Sequence, residues 1–400
     1  MNMEGESSRG AKMRIGIVTQ WPFPESSDYR CRKIVQTLLT AGHEVVVFTA
    51  RATQKTFSIG DRTANVKSPW AVGALAGPES RSEAPIPGNP FWAIWLLRQA
   101  RRLRLDWLAS KELRLGLSTY WATRVSKSKF WIDLSENYPG MVKVERRGQL
   151  LMPLHASVAA FLEKRCARSA DLVTVVTESN RERLAQHGVS KAHLVVVSNT
   201  PVLQAMPTRN GTAAPGKLNV VYAGVLSRVR GLEQLLKALG QIGAERESIV
   251  LHIAGEGSEA GPLRTLTESL GLMNCVQFHG WVPNEKLPSL FVSCDVGIIP
   301  HVLTEFTQTT IPNKLFDYMA CGLPVWTTNM RPCRDIIEGA DCGWVSEDSV
   351  DGITAVLRQL LSTSQEERHA KGERGRQAVH SSYNWNVDGR RMLDALASSA

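Results

Sequence analysis

The sequence lacks the patterns that mark disulfide-rich, zinc-binding and membrane-spanning proteins. Its seven cysteines include no Cys-x-x-Cys pair and no histidine partner at metal-ligand spacing, so we expect reduced and mostly buried thiols. No apolar run reaches the roughly 18 residues that a spanning helix needs. Residues 1–10 are polar, with no basic patch before an apolar segment, so we expect no secretory signal there.

The composition is that of a globular protein with a basic surface. The chain has 400 residues, of which 43% are hydrophobic and 21% charged, values that exclude a disordered or fibrous protein. This length favours two packed cores. The formal charge of +9 favours an acidic partner, such as a phosphorylated substrate, an anionic membrane or a nucleic acid. The sequence has no RNA- or DNA-binding module pattern, so we expect no nucleic-acid partner.

Strands and helices alternate along the N-terminal half. A strand at 14–19, a helix at about 28–41 and a strand at 44–49 predict a parallel crossover unit. Residues 51–90 are rich in Pro, Gly and Ser, and we predict a loop. The later elements predicted for this half are helices within 91–125, a strand at 130–133, a helix at 154–169, a strand at 172–176, a helix at 181–186 and a strand at 194–197.

A second alternating series follows residues 202–217, which have the composition of a linker. Its expected strands are 218–223, 249–254, 276–278, 296–300 and 324–327. We therefore predict an α/β protein with two doubly wound, Rossmann-like domains at 12–201 and 218–382. A last helix in 383–400 is expected to return toward the first domain. Ligands of such sheets lie beyond the carboxyl ends of the strands, so we expect the two domains to face a cleft.

The richest candidate site is the segment 309–325. Pro312 and Asn313 begin a predicted helix whose first amides can hold an anion, and Lys314 adds positive charge at that end. Asp317, one turn further on, is an acceptor suited to two vicinal hydroxyls, as on a ribose. The alternative is an ordinary helix cap with a solvated Asp317.

A second candidate site follows the strand 218–223. Gly224 allows close backbone approach, and Arg228 and Arg230 precede a helix. Two guanidinium groups there can neutralise a diphosphate leaving group. The alternative is that both arginines are surface charges. Glu256 lies between two glycines after the next strand and is a further candidate.

These segments, together with the order of the loops between them, resemble the donor site of glycosyltransferase family 4, a retaining group with the GT-B fold. The resemblance covers about residues 218–385. It implies that Asp317 stands at the family's second glutamate, which binds the ribose, and that Thr309 stands at the first, near the donor sugar. Glu305 resembles the first glutamate in its local context, and the hydroxyls of Thr309 and Thr310 are the alternative. Arg228 and Arg230 match the family's arginine and lysine.

The resemblance implies transfer of a hexose or amino-hexose from a UDP- or GDP-sugar to a hydroxyl, with retention at the anomeric carbon. A lipid-linked or cell-surface polysaccharide is the expected acceptor. No metal and no cofactor are implied. Asp133 to Pro139 resemble a segment that often reads Asp-x-His-Glu, with Ser135 in place of the histidine, so Glu136 is a candidate to orient the acceptor. A loop carboxylate that caps a helix is the alternative for Glu136.

Residues 91–130 combine four tryptophans with nine basic residues. Basic amphipathic helices with tryptophan bind anionic membrane surfaces, which predicts a cytoplasmic protein at the inner face of the cell membrane. The alternative is that the tryptophans are core and the arginines a solvated face. Two rival functions stay open from the sequence: a sugar-nucleotide epimerase of the same fold, and a non-catalytic, membrane-attached sugar-nucleotide-binding protein.

Overall fold

The computed structural model describes residues 12–24, 29–49, 52–69, 90–146, 148–203 and 216–399. The chain divides into two compact units. The first comprises Met1–Val197 and Gly389–Ala400, and the second comprises Ser198–Asp388. Most of the linker predicted at 202–217 lies outside the described residues.

The first unit is built on an eight-stranded sheet in the order β3-β4-β2-β1-β5-β6-β7-β8. All neighbouring strands are parallel except β3 and β4, which form an antiparallel pair. The strands are β1 (Arg14–Thr19), β2 (Glu44–Thr49), β3 (Thr56–Ile59), β4 (Arg62–Lys67), β5 (Trp107–Lys111), β6 (Lys129–Leu134), β7 (Leu172–Val175) and β8 (Leu194–Val196). Its central strands are buried along nearly their whole length, as parallel strands covered by helices must be.

Helices alternate with these strands. The helices are α1 (Tyr29–Thr40), α2 (Pro90–Leu103), α3 (Gly116–Ser126), α4 (Tyr138–Glu145), α5 (Met152–Ser169) and α6 (Glu178–Gln186). α1 shows why they form: Ile34, Val35, Leu38 and Leu39 recur at helical spacing and are buried. Its C-terminus is followed by Gly42, which has a φ of 94° that favours glycine.

The second unit has a six-stranded, all-parallel sheet in the order β11-β10-β9-β12-β13-β14. The strands are β9 (Leu218–Ala223), β10 (Ile249–Ala254), β11 (Val276–Gly280), β12 (Val296–Ile299), β13 (Val325–Thr328) and β14 (Gly343–Ser346). The helices are α7 (Leu232–Gln241), α8 (Ala260–Ser269), α9 (Leu287–Val292), α10 (Lys314–Ala320), α11 (Arg331–Ala340), α12 (Val350–Ser362), α13 (Gln365–Ser381) and α14 (Trp385–Ser398), the last of which continues into the first unit.

The structure corrects two predictions for the first unit. The stretch 51–90, predicted to be a loop, contains β3 and β4. Both strands are half-exposed and rich in polar residues, so the hydrophobic alternation that reveals a strand is weak there. The stretch 91–125, predicted to be helical, contains the fully buried strand β5 between α2 and α3. The second sheet also continues past the predicted last strand through β14.

Candidate active site

The candidate site of the second unit lies at the carboxyl ends of β9 and β12. The strand order runs outward in one direction through β10 and in the other through β13, so the topology switches between β9 and β12. Ligands of open parallel sheets bind at such a switch point. The chain leaves β9 through Gly224 and leaves β12 through Pro300 and His301.

Glycines let the loops at this edge approach one another closely. Gly224 has a φ of 136° and Gly255 a φ of 148°, conformations that favour glycine. A Cβ atom on Gly255 would lie 1.9 Å from the carbonyl oxygen of Gly224. A Cβ atom on Gly231 would lie 1.7 Å from the carbonyl oxygen of Pro300. No side chain fits at either place, so the backbone itself lines the switch point.

Lys314, the first residue of α10, is the central charged group. Its ammonium lies 3.6 Å from the centre of the Tyr222 ring, a cation–π contact. Its Nζ is buried and has no hydrogen-bond acceptor among the residues that the structure describes. A Cβ atom on Gly224 would lie 2.9 Å from this nitrogen. Burial, followed by the charge of Arg230, lowers the pKa of Lys314 well below its usual value.

Arg230 is the second cation at this edge. Its Nε is buried and finds no acceptor within the described part of the chain. Its Nη1 lies 3.5 Å from Nε2 of His301, a buried residue. Burial, and then the charges of Arg230 and Lys314, lowers the pKa of His301 well below 6.5. Two cations and a neutral imidazole therefore converge at the switch point, an arrangement that an anion would complete.

Asp317 lies one turn after Lys314 on α10 and is half-buried. Its charge favours protonation of Lys314 and so offsets part of the effect of burial and of Arg230. Asn313 precedes the helix, is exposed, and makes no side-chain cap to it. Of the predicted donor-site residues, the structure thus brings Gly224, Arg230, Lys314 and Asp317 to one edge of the sheet.

Arg228 differs from Arg230 although the two are close in sequence. Its side chain is 87% exposed, and its Nε lies 3.6 Å from Oε1 of Glu259. Residues 228–230 form a single 3₁₀ turn, in which residues two apart point in different directions. No described contact joins Arg228 to the cluster around Lys314. Glu256, between two glycines after β10, is exposed to solvent.

The segment 304–309 folds into a compact turn before α10. Thr309 is buried, and its hydroxyl donates to the carbonyl oxygens of Glu305 and Phe306, 2.8 and 3.1 Å away. The side chain of Glu305 is exposed, and Thr310 is half-buried. In the described contacts the Thr309 hydroxyl therefore donates to the backbone of its own turn.

In the first unit, Glu136 lies half-buried directly after β6, next to a buried charge network. Asp133 accepts hydrogen bonds from Arg30 Nε and Nη2 at 2.9 and 2.7 Å, and Lys111 Nζ lies 3.6 Å from it. Burial opposes ionisation of Asp133, but Arg30 and Lys111 outweigh it and lower its pKa to about 2. A helix-capping role was the alternative for Glu136. The residue that caps α4 is its neighbour Asn137, whose side chain accepts a hydrogen bond from the Gly140 amide at 3.0 Å.

In the segment 91–130 the tryptophans are divided between the core and the surface. Trp92 and Trp107 are buried in the core, and Lys111 is buried in ion pairs. Trp121 is exposed, and the side chains of Arg98, Arg101, Arg102 and Arg104 all face solvent. Within the described ranges, no helix combines the length and apolar character needed to cross a membrane.

Sequence reasoning missed two residues of the second unit's site, Tyr222 and His301. Tyr222 resembles any other residue of a buried strand, and its contact with Lys314 depends on the fold. His301 is a single histidine after a proline, a pattern with no functional signal of its own. Only the adjacency of β9 and β12 reveals both.

Comparisons with solved structures define the fold. Sucrose-phosphate synthase from Thermosynechococcus elongatus superposes with a TM-score of 0.76 and 16% identity, over 97% of this chain and 99% of that chain. Anabaena HepE in complex with UDP and glucose gives a TM-score of 0.70 and 15% identity, over 96% and 100%. These two Rossmann-like units have the fold of GT-B glycosyltransferases, which confirms the predicted fold class.

Family models identify the particular group. A model described as "Glycosyl transferase 4-like domain" matches residues 28–200, and one described as "Glycosyl transferases group 1" matches 208–378. The chain belongs to the group 1 glycosyltransferases. It is 26% identical over 227 residues to the MMP alpha-(1->4)-mannosyltransferase of Mycolicibacterium hassiacum, an alignment that spans 56% of this chain. The chain spans about half the length of the first curated relatives that it matches, 57% of one and 53% of another.

Proposed function

We propose that this protein transfers a hexose or amino-hexose from a UDP- or GDP-sugar to a hydroxyl group, with retention at the anomeric carbon. The observation that carries the proposal is the buried Lys314 ammonium, which lies beside Arg230 at the switch point without a hydrogen-bond acceptor among the described residues. Asp317 offsets only part of the cost of burying this charge next to a second cation, so a ligand that brings two phosphates is the natural complement.

The two cations perform the main catalytic task of this reaction. When the bond between the sugar and the diphosphate breaks, negative charge grows on the departing phosphate oxygens. Arg230 and Lys314 are already in place to stabilise that charge, and the surrounding burial strengthens the interaction. Asp317 would accept hydrogen bonds from the two ribose hydroxyls of the nucleotide. Two similar proteins support a nucleotide-sugar donor: the structure of HepE is a complex with UDP and glucose, and the M. hassiacum relative is a mannosyltransferase by name.

Product analysis tests the proposed reaction. The protein is incubated with UDP-glucose, UDP-N-acetylglucosamine, UDP-galactose and GDP-mannose, each with and without a panel of glycoside acceptors. We expect one donor to release its nucleoside diphosphate and give a product whose anomeric configuration, measured by NMR, equals that of the donor. An inverted product would contradict retention. Release of no nucleoside diphosphate from any donor, together with no binding of UDP or GDP, would contradict the function.

Replacing Asp317 with asparagine is expected to weaken nucleotide binding. A carboxylate paired with ribose hydroxyls makes charge-assisted hydrogen bonds worth about 1.5–3 kcal/mol, and the amide keeps the shape while it loses the charge. Calorimetric titration with UDP and GDP measures the effect. The 2′-deoxy nucleotide is the matched ligand control, since it should show little further loss in the variant. Unchanged affinity for the ribonucleotide would remove Asp317 from the site.

We infer that the first unit attaches to anionic membranes, where a lipid-linked acceptor would be found. Two helices carry the inference. α2 exposes Phe91 and Ile94 close to exposed arginines, and α5 exposes Leu154, Val158 and Phe161 along one face. Large apolar side chains at helical spacing with basic neighbours suit the interface of an anionic bilayer. The acceptor would then be reached at the inner face of the cell membrane.

Vesicle binding tests the attachment. Each Arg near an anionic surface contributes about 1 kcal/mol, so changing Arg98, Arg101, Arg102 and Arg104 to Gln should largely abolish sedimentation with anionic vesicles at low salt. High salt should weaken wild-type binding. The control changes four exposed cations of the second unit to Gln: Lys237, Arg264, Lys286 and Arg358. We expect this control to bind like the wild type, and equal binding by the α2 variant would contradict the inference.

A further inference from the structure

The first sheet has a switch point of its own, between β1 and β5. The chain leaves β1 through Gln20 and Trp21 and leaves β5 through Glu112, and these three side chains meet there. We propose that Trp21 and Glu112 bind an uncharged sugar ring of the acceptor. The proposal rests on the proposed function for its place in the reaction, because a transferase needs a second substrate besides the donor.

The backbone of Glu112 is in a conformation that side-chain-bearing residues rarely adopt. Its φ is 80° and its ψ is 159°, a region occupied essentially only by glycine. Such conformations persist where the surroundings enforce them, and they concentrate at ligand-binding sites. A residue with a purely structural role at the end of a strand does not need such a strained backbone.

The carboxylate of Glu112 is held from two sides. Trp21 Nε1 donates to Oε1 at 3.3 Å, and Gln20 Nε2 donates to Oε2 at 3.1 Å. A carboxylate accepts about four hydrogen bonds, so each oxygen retains capacity for a ligand hydroxyl. The side chain is 18% exposed, which leaves it within reach of a ligand. A fixed carboxylate of this kind can bind a pair of sugar hydroxyls.

Trp21 supplies an apolar surface beside that carboxylate. It is 44% exposed, so part of the indole is open to a ligand. Its amide donates to Thr19 Oγ1 at 3.2 Å, and its carbonyl oxygen accepts from Thr49 Oγ1 at 2.6 Å. The indole is therefore anchored through both its backbone and its ring nitrogen. A rigid aromatic face next to a hydrogen-bonding carboxylate matches a sugar ring, which has one apolar C–H face and hydroxyls at its rim.

The charge around this pair disfavours an anionic ligand. Lys111 Nζ lies 3.7 Å from Glu112 Oε1 and 3.6 Å from Asp133 Oδ2. Arg30 pairs with Asp133 from the other side. Two cations thus face two carboxylates, and Glu136 lies close by in sequence after β6. Among the residues that the structure describes, a phosphate would meet no unpaired cation here, in contrast to the edge that carries Lys314 and Arg230, so the ligand is a neutral sugar.

Ligand-observed NMR tests the proposal without any donor present. The methyl glycosides of glucose, galactose, mannose and N-acetylglucosamine serve as probes, and methyl phosphate serves as the anionic control. We expect the wild-type protein to bind at least one glycoside, and Trp21→Ala and Glu112→Gln to weaken that binding about tenfold or more. Trp121→Ala, which removes another exposed tryptophan of the same unit, should bind like the wild type.

Glu112→Gly separates ligand binding from a structural role. Glycine adopts the backbone conformation of residue 112 without strain, and this gain offsets the loss of the ion pair between Glu112 and Lys111. The unfolding temperature of this variant should therefore hold while glycoside binding is lost. A stabilising role alone would lower the unfolding temperature and leave binding unchanged. The proposal is overturned if the wild type binds none of the glycosides, if the Trp21 and Glu112 variants bind them with wild-type affinity, or if methyl phosphate displaces the glycoside. Failure of nucleotide binding would instead count against the proposed function, since the two measurements use different ligands.

Discussion

Replacing Lys314 with methionine is expected to weaken binding of UDP or GDP about 10- to 100-fold while it stabilises the unliganded protein. The loss of affinity follows from removing charge-assisted hydrogen bonds to the diphosphate, each worth about 1.5–3 kcal/mol. The gain in stability follows because methionine fills the same space over the Tyr222 ring without burying an ammonium that has no hydrogen-bond acceptor among the described residues. Calorimetric titration measures the first effect, and thermal unfolding without ligand measures the second.

The pH dependence of this variant provides an independent check. Because the pKa of Lys314 is lowered in the folded protein, the unfolded chain binds more protons between that lowered value and the ordinary value near 10.4. The free energy of unfolding should therefore rise with pH across this window. A bound diphosphate raises the pKa of Lys314 again, because its negative charge favours the protonated ammonium. Nucleotide affinity should therefore fall as pH rises through this window and Lys314 loses its proton. Burial and the charges of Arg230 and Lys314 lower the pKa of His301 well below 6.5, so its own titration lies at more acidic pH than that of an ordinary histidine.

Lys314→Met should lose the part of both pH dependences that the lysine causes. A variant that binds UDP and GDP as tightly as the wild type would show that the phosphates are held elsewhere. A variant that is less stable than the wild type would show that the ammonium has a stabilising partner in the folded protein. Either result would contradict the role assigned to Lys314.

Replacing Arg230 with glutamine is expected to lower turnover by about a hundredfold, because it removes a preorganised cation at the position where leaving-group charge develops. Arg228→Gln is the matched control. It changes the same residue type two positions away, but its side chain is 87% exposed and lies near Glu259. We expect this control to keep most of its activity. Steady-state rates with the preferred donor distinguish the two.

One outcome would contradict the roles assigned to the two arginines. If Arg228→Gln loses more activity than Arg230→Gln, the diphosphate lies on the exposed side of the 3₁₀ turn. Thermal unfolding of both variants excludes a simple loss of folding as the cause. A small effect of both changes would leave Lys314 as the main contact to the diphosphate and would contradict the shared role proposed here.

Much of the second unit could be predicted from the sequence because its strands are short and rich in apolar residues, and Gly224 and Gly255 mark where β9 and β10 end. The predicted bounds of β9 and β10 agree with the structure. The first unit was harder to predict for a physical reason. β3 and β4 lie at one edge of the sheet, where partial exposure permits polar residues and removes the hydrophobic pattern. β5 ends in Lys111, a charge that is tolerated there because Asp133 and Glu112 neutralise it.

Some residues of the candidate site can be predicted from a local sequence pattern, whereas others come together only in the fold. The segment around Lys314 and Asp317 is a local pattern, and the sequence alone predicts a donor site there. The sequence gives Arg228 and Arg230 equal weight, since only the geometry of the turn separates them. The stacking of Lys314 on Tyr222 depends on the adjacency of α10 and β9, which no local pattern specifies. Trp21 and Glu112 are likewise far apart in sequence and meet only through the pairing of β1 with β5.

The donor site can be observed in a crystal structure of the complex with UDP or GDP. We expect diphosphate oxygens within hydrogen-bonding distance of Lys314 Nζ and of the Arg230 guanidinium, with the ribose hydroxyls at Asp317. We also expect the nucleotide to lie against the backbone of Gly224, where a Cβ atom would lie 2.9 Å from Lys314 Nζ. A nucleotide bound at another edge of the sheet, or a Lys314 that still stacks on Tyr222 with no phosphate near its nitrogen, would show that Lys314 and Arg230 do not form the donor site.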